Sequence, residues 1–188
     1  MKMNANSARP GNVLEHKNKL WRVVKIAHTQ PGKGGAYIQM ELKGLKDGIK
    51  LNERFRSSED IEKVRLDEQE YQFLFKDDNN ITLMDTSSYE QIEISADILE
   101  EAIAYLQDGM LVKVMSYDED VVSVELPELV ELAVAETEGV VKGQTAASSY
   151  KPAILENGVR VMVPPFINVG EKLVIRTSDG EYMERAKS

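Results

Sequence analysis

Apolar and polar residues alternate along most of this chain, the period of two that a half-buried β-strand requires. "KLWRVVKIAHT" and "AYIQMELKGL" read as two strands, with Trp21, Val23 and Val24 near the centre of the first. The Pro-Gly-Lys-Gly-Gly segment between them predicts a hairpin tip, where Gly32, Gly34 and Gly35 can take φ > 0 without steric penalty. "LKDGIKLNERFRS" adds a turn at Asp47-Gly48 and another strand, so residues 1–63 read as a small β-barrel. In the middle third, "EYQFLFKDDNNITLMDTSSYEQIEIS" gives three short strands, broken at residues 77–80 and 86–88. The period then changes. Ile98, Leu99, Ala102, Ile103 and Leu106 fall on one helical face, with Ser95 as the N-cap and Gly109 as the stop. "MLVKVMSYDEDVVSVEL" returns to a hairpin, and strands with one intervening helix outline an OB-fold.

The last third opens with "LVELAVAETEGVV", a strand pair or one long bent strand. A polar loop, "KGQTAASSYKPA", follows, and then hairpins turning at Asn157-Gly158 and Asp179-Gly180. "GMLVKVMSYDEDVVSVEL" at 109–126 and "GEKLVIRTSDGEYMERA" at 170–186 echo each other as glycine, strand, acidic turn, strand. The second and third modules are therefore expected to share a fold. The expected architecture is all-β: three consecutive small barrels over 1–63, 64–126 and 127–188, with a short helix in the second. A module of that size buries roughly 60% of its unfolded surface and is marginal alone. Direct contacts should hold the three in an elongated, bent row, with a radius of gyration above the ~16 Å of a compact globule.

Composition changes this picture in one respect. The chain has 188 residues and a net charge of −9, which argues against nucleic acid as a partner. The average hides a split: residues 1–63 carry 13 Lys/Arg against 7 Asp/Glu, residues 64–125 carry 3 against 16, and residues 126–188 carry 7 against 9. Charges are screened beyond about 8 Å at physiological salt, so a partner touching the first module meets a basic surface. There is no cysteine, which excludes disulfides and thiolate metal sites, and the two histidines, His16 and His28, have no evident ligand partners. No apolar run approaches the ~18 residues of a membrane span, and "MKMNANSARPG" lacks a signal's apolar stretch. The expectation is a cytoplasmic protein without membrane association, metal or cofactor.

The candidate chemistry centres on "TQPGKGGAY", residues 29–37. A P-loop would need glycine at position 27, Ser or Thr after the lysine, and a following helix. The chain has Ala27, Gly34 and a strand, so that reading fails. No nucleophile elbow, cysteine or evident triad supports covalent catalysis. The acidic middle third reads as solvated surface, since general acid–base work needs a shaped cleft and shifted pKa values. From local chemistry alone, Lys33 stands either on a plain solvated turn or at a fingertip hemmed by glycines at one end of the basic module.

"PGKGGAYIQMELKGLKDGIKLNERFRS" resembles the first domain of bacterial elongation factor P, and "VELAVAETEGVVKGQTAASSYKPAILENGVRVMVPPFINVGEKLVIRTSDGEYMER" resembles its third. The resemblance covers essentially the whole chain, and the closing Gly-Glu-Tyr-x-x-Arg pattern is highly specific. The family is related to the hypusine-bearing translation factor of eukaryotes and archaea. The resemblance implies a KOW/SH3-like barrel followed by two OB-folds, shaped like transfer RNA and entering the ribosome between the peptidyl and exit sites. Lys33 becomes the tip residue, lengthened by a lysine-modifying enzyme and reaching the CCA end of peptidyl-transfer RNA, with Pro31, Gly32, Gly34 and Gly35 shaping the tip. Gly143, Gln144 and Thr145 fall where the family has a loop facing the exit-site codon of messenger RNA; the family usually has Asp where this chain has Gln144. Tyr182 and Arg185 fall in the motif placed near transfer RNA and the small subunit. The implied activity is non-enzymatic: peptide bond formation promoted by positioning, above all at consecutive prolines, by a monomer that touches both ribosomal subunits. The rival is a general OB/SH3-like RNA-binding or scaffold protein in which Lys33 is a turn residue, and a third option is a hydrolase using the acidic module.

Overall fold

The computed structural model describes residues 1–139 and 149–187. It is built of three antiparallel sheets. The first comprises β1 (Lys2–Asn4), β2 (Val13–His16), β3 (Lys19–Thr29), β4 (Tyr37–Gly44), β5 (Lys50–Arg56) and β6 (Asp60–Val64), in the order β1-β6-β2-β3-β4-β5. The second comprises β7 (Asp67–Lys76), β8 (Asn80–Asp85), β9 (Gln91–Ser95), β10 (Leu111–Tyr117) and β11 (Asp120–Glu125), in the order β11-β10-β7-β8-β9. The third comprises β12 (Leu129–Thr137), β13 (Lys151–Leu155), β14 (Arg160–Val163), β15 (Lys172–Arg176) and β16 (Tyr182–Arg185), in the order β14-β13-β12-β15-β16. By packing, the chain forms two compact units: Met1–Gln69 with Val114–Val124, and Glu70–Lys113 with Glu125–Ser188.

The period-two pattern explains the first sheet. On β4, Ile38, Met40 and Leu42 are fully buried, while Tyr37, Gln39, Glu41 and Lys43 take the opposite face. Leu14, Trp21, Val23, Phe55 and Ile61 complete that core. The Trp21 indole donates to the His16 carbonyl at 2.8 Å, which satisfies the one polar atom that burial of the ring would strand. His16 itself lies edge-on to Phe55, with ring centroids 5.4 Å apart. Among the described residues no cluster of three or more His, Cys, Asp or Glu is placed to hold a metal ion, and no helix is long and apolar enough to cross a membrane.

Of the two readings of "LVELAVAETEGVV", the single strand holds for its described part: Leu129–Thr137 is one strand, β12, with a register shift between Val134 and Glu136 where it meets β13. One expectation changes in detail. The helix after β9 is a 3-10 helix, Ala96–Tyr105, broken at Glu100 (φ 51°, ψ −128°). Ser95 does cap it, its hydroxyl accepting from the Asp97 N–H at 3.3 Å. Its buried residues are Ala96, Leu99 and Tyr105, spaced in multiples of three as a 3.0-residue turn dictates, whereas the face drawn with an α-helical period is only partly buried apart from Leu99.

Tyr105 does not complete the second sheet's core. It is 6% exposed and packs in the third core, among Val130, Leu132, Leu155 and Ile175. Two hydrogen bonds fix the same junction: the Asn157 amide donates to the Ala104 carbonyl at 3.0 Å, and the Gln107 amide donates to the Glu131 carbonyl at 3.0 Å.

Candidate nucleic-acid interface

β3 and β4 form a long antiparallel hairpin whose last paired residues are Thr29 and Tyr37. Residues 30–36 make the tip. Lys33 is exposed there, with no hydrogen bond or ion pair to any described residue. A Cβ built on Gly32, Gly34 or Gly35 would meet nothing within 4 Å, so nothing packs against the three glycines beside the exposed lysine. Of the three glycines able to take positive φ, only Gly34 does so, at φ +107°. One such residue suffices to reverse a seven-residue loop, and Gly32 and Gly35 contribute the absence of a side chain instead.

Below the tip, strand register assembles the outer face of the sheet. Cross-strand partners share a face, and the pairs Thr29–Tyr37–Arg56, Ala27–Gln39–Arg54, Lys25–Glu41–Asn52 and Arg22–Lys43–Lys50 stack in rows down β3, β4 and β5. Six cations and one carboxylate therefore line this face. The Arg54 guanidinium lies over the Tyr37 ring, 4.2 Å from its centroid. That contact sets a planar donor fork on the ring of Tyr37, four residues from Lys33 in sequence.

Other cations of the first sheet are occupied. Lys17 binds Glu53 at 2.8 Å, Lys19 binds Asp47 at 2.7 Å, and Lys46 binds Asp120. The Lys19 ammonium, with the Ile49 N–H, holds the Asp47 carboxyl below the ordinary aspartate range, and Lys17 does the same for Glu53. By contrast, Lys25, Lys50 and Arg56 on the outer face have no side-chain partner among the described residues.

The remaining expected site residues lie elsewhere. Gly143, Gln144 and Thr145 fall outside the described residues. Tyr182 and Arg185 are both on β16, in the other packing unit, so the tip and the C-terminal motif are two separate places on the chain. Tyr182 packs against the third core, and its ring meets Tyr150 edge-on at 6.5 Å. Burial pushes its hydroxyl pKa upward. Arg185 stacks over Phe166 at 4.4 Å, and one guanidinium nitrogen sits 3.3 Å from a Glu171 oxygen. Sequence reading missed the Tyr37–Arg54 stack and Phe166. The first was signalled by Arg54-x-Arg56 on an alternating strand; the second depends on a contact 19 residues away in the chain, which no local pattern reveals.

The chain is all-β and modular, and its first sheet ends in an open lysine finger above a basic face. Comparison with known proteins makes that architecture specific. The family model described as elongation factor P KOW-like domain matches residues 4–61, the elongation factor P OB domain matches 66–124, and elongation factor P, C-terminal, matches 130–185. The protein named elongation factor P from Parvibaculum lavamentivorans is 55% identical over 186 residues, covering 99% of this chain and 100% of that one. Its namesake from Zymomonas mobilis subsp. mobilis is likewise 55% identical, with the same coverage. These matches define an all-β translation factor of KOW-like and OB modules. The chain belongs to the elongation factor P family. The structure of eukaryotic translation initiation factor 5A from Methanococcus jannaschii shares the fold, with a TM-score of 0.55 and 22% identity over 68% of this chain and 92% of that one.

Proposed function

We propose that this elongation factor binds the ribosome between the peptidyl and exit sites and uses Lys33 to hold the CCA end of peptidyl-transfer RNA, promoting peptide bonds at consecutive prolines. The observation that carries the reading is the unpartnered Lys33 on an open tip, at the end of a face that presents six cations. Proline is a poor nucleophile because its ring restricts geometry. An amine fixed on the donor's end contributes no acid or base; it removes motion from the reactant. Such positioning reaches ~7–11 kcal/mol in ideal cases, and even ~3 kcal/mol corresponds to a rate factor on the order of 100. The role needs length, positive charge and clear space, and a modifying enzyme that lengthens Lys33 increases the first of these. Gly143, Gln144 and Thr145 would face the exit-site codon, with Tyr182 and Arg185 toward transfer RNA and the small subunit.

The test is ribosome-dependent synthesis of a polyproline-containing peptide. Lys33→Ala should lose most of the stimulation while leaving proline-free synthesis unchanged; full stimulation by that variant overturns the proposal. Intact mass of protein from its own host, mapped to the 29–37 peptide, reads whether Lys33 carries an added group.

A further inference from the structure

A cavity of about 600 Å³ lies where the 3-10 helix meets the β15–β16 turn. That volume is within the range of small-ligand sites, about 300–1,000 Å³. Leu99, Ala102 and Val159 give it an apolar wall, and Glu100, Glu101 and Asp179 line it with carboxylates. Its lining contains no lysine, arginine or histidine, whereas four other cavities among the described residues each have at least one. Carboxylates alone would be solvated surface. A buried neutral group beside them makes the place a candidate site.

That group is the Tyr105 hydroxyl. Tyr105 is 6% exposed, and the third core holds its ring. Its oxygen reaches the cavity at Gly180, where a built Cβ would lie 2.5 Å away. It makes no hydrogen bond with a described residue, whereas the Thr177 hydroxyl on the same wall donates to the Pro127 carbonyl at 2.7 Å. A hydroxyl so placed accepts from a donor entering the cavity without first breaking a bond. Burial raises its pKa, and the Asp179 and Glu101 carboxylates act in the same direction, so the oxygen sits in a negative field. Asp179 is shared with Arg176 at 3.0 Å, while Glu101 has no partner among the described residues. Every one of these groups suits a cationic donor. No three carboxylates among the described residues are placed to hold a metal ion, so the fitting charge is spread along a body, and the apolar wall suits methylenes.

We infer that this cavity binds an aliphatic polyamine, one ammonium donating to Glu101 and the Tyr105 hydroxyl, another reaching Asp179, and the methylenes lying against Leu99, Ala102 and Val159. Glu101 belongs to the 3-10 helix and Asp179 to the β15–β16 turn, so one ligand bridges both. It braces the junction that the Asn157–Ala104 and Gln107–Glu131 hydrogen bonds already fix. A ligand bound by the folded form alone stabilises it in step with ligand concentration, so the amine level tunes the rigidity of this junction. Neither Lys33 nor the basic face of the first sheet takes part.

The experiment is calorimetric titration of the full chain with spermidine at about 50 and 150 mM salt. Propylamine, trilysine and Mg²⁺ at matched ionic strength are titrated in parallel. The comparison set is wild type, Glu101→Gln, Tyr105→Phe and Asp78→Asn, each checked for native circular dichroism. Asp78 is an exposed carboxylate in the β7–β8 turn and does not line the cavity. Glu101→Gln should bind spermidine roughly tenfold more weakly, and Tyr105→Phe roughly three- to tenfold. Asp78→Asn should stay within about twofold. Propylamine, with a single ammonium, should bind at least about tenfold more weakly than spermidine. Tyr105→Phe changes no charge, so its loss separates a built site from diffuse attraction to an acidic chain. Wild-type affinity in either Glu101→Gln or Tyr105→Phe overturns the inference, as does a loss in Asp78→Asn equal to theirs. Failure of wild type to bind spermidine at the lower salt overturns it, and so does Mg²⁺ binding as tightly as spermidine. Trilysine binding more tightly than spermidine, and lost in the same variants, assigns the cavity to a basic protein segment and overturns it too.

Discussion

Replacing Gly180 by alanine tests how the 3-10 helix is locked to the third sheet. Gly180 sits in the β15–β16 turn at φ +73°, and a Cβ built there would lie 2.5 Å from the Tyr105 hydroxyl oxygen. Two separable penalties follow. Holding alanine in left-handed backbone costs about 1 kcal/mol or slightly more. Overpacking against a side chain that is itself 6% exposed in the third core adds roughly 1–3 kcal/mol. Gly180→Ala should therefore destabilise by about 2–4 kcal/mol. Tyr105→Phe should be nearly neutral, because its hydroxyl makes no hydrogen bond with a described residue. In the double variant the oxygen is gone and the nearest remaining atom is the ring carbon at 3.7 Å, an ordinary contact, so only the backbone penalty persists. Urea unfolding of the four proteins gives the coupling energy directly. A coupling of about 1–3 kcal/mol is expected, and strict additivity would refute the assignment of Tyr105 as the obstruction.

Tyr37→Ala retains every charge of the basic face but removes the ring under Arg54; loss of about 0.5–1 kcal/mol in affinity for an RNA hairpin is expected, with Tyr37→Phe unaffected. At the tip, Gly34→Ala should lower stability by about 1 kcal/mol because of its φ of +107°, while Gly32→Ala, whose Cβ meets nothing, should stay within about 0.5 kcal/mol in thermal unfolding. Acid should destabilise the fold through carboxylates held below their ordinary range: Asp47 by Lys19, Glu53 by Lys17, Asp77 by the Asn79 and Asn80 N–H groups, and Asp179 by Arg176. A depressed native pKa gives stability that is complete above the unfolded value and lost as pH falls through the native one, so urea midpoints should hold from pH 7 to about 5 and fall below about 4. A midpoint unchanged at about pH 3 would contradict those pairings.

The strands were legible because alternation and burial coincide; β3 occupies the very residues of "KLWRVVKIAHT". Turns were legible where glycine marks them, as at Gly48, Gly158 and Gly180, all with positive φ. The acidic turn at Asp118 and Glu119, φ 52° and 66°, was legible from its charge pattern instead, whereas the turn in which Lys17 and Asn18 join β2 to β3 at φ 51° and 61° was not. Asparagine enters that region readily, but lysine and glutamate are held there by the surrounding sheet, and for Lys17 by its Glu53 pair. The 3-10 helix escaped for a related reason: its apolar residues fit both 3.0 and 3.6 residues per turn over so short a span. Of the candidate site, Lys33 and its glycines were readable locally, whereas the Tyr37–Arg54 stack required knowing that Gln39 faces Arg54, a register that sequence alone leaves open.

Net charge misdirects because it counts pairs and lone charges alike. Lys17, Lys19 and Lys46 bind carboxylates, and a phosphate approaching them competes with a partner already present. Lys25, Lys33, Lys50, Arg56, Lys63 and Arg65 have no such competitor among the described residues. An exposed pair is worth only about 0–1 kcal/mol, so the distinction at any single lysine is small. Summed over six positions it becomes several kcal/mol in favour of the unpaired set. Binding of a polyanion then selects the face, not the chain, and does so with each cation's counterions available for release. The acidic residues outnumber the basic ones by nine overall, yet the six cations that register gathers on β3, β4 and β5 have only Glu41 among them. Placement of the carboxylates, more than their number, is what leaves the outer face of the first sheet cationic up to the tip.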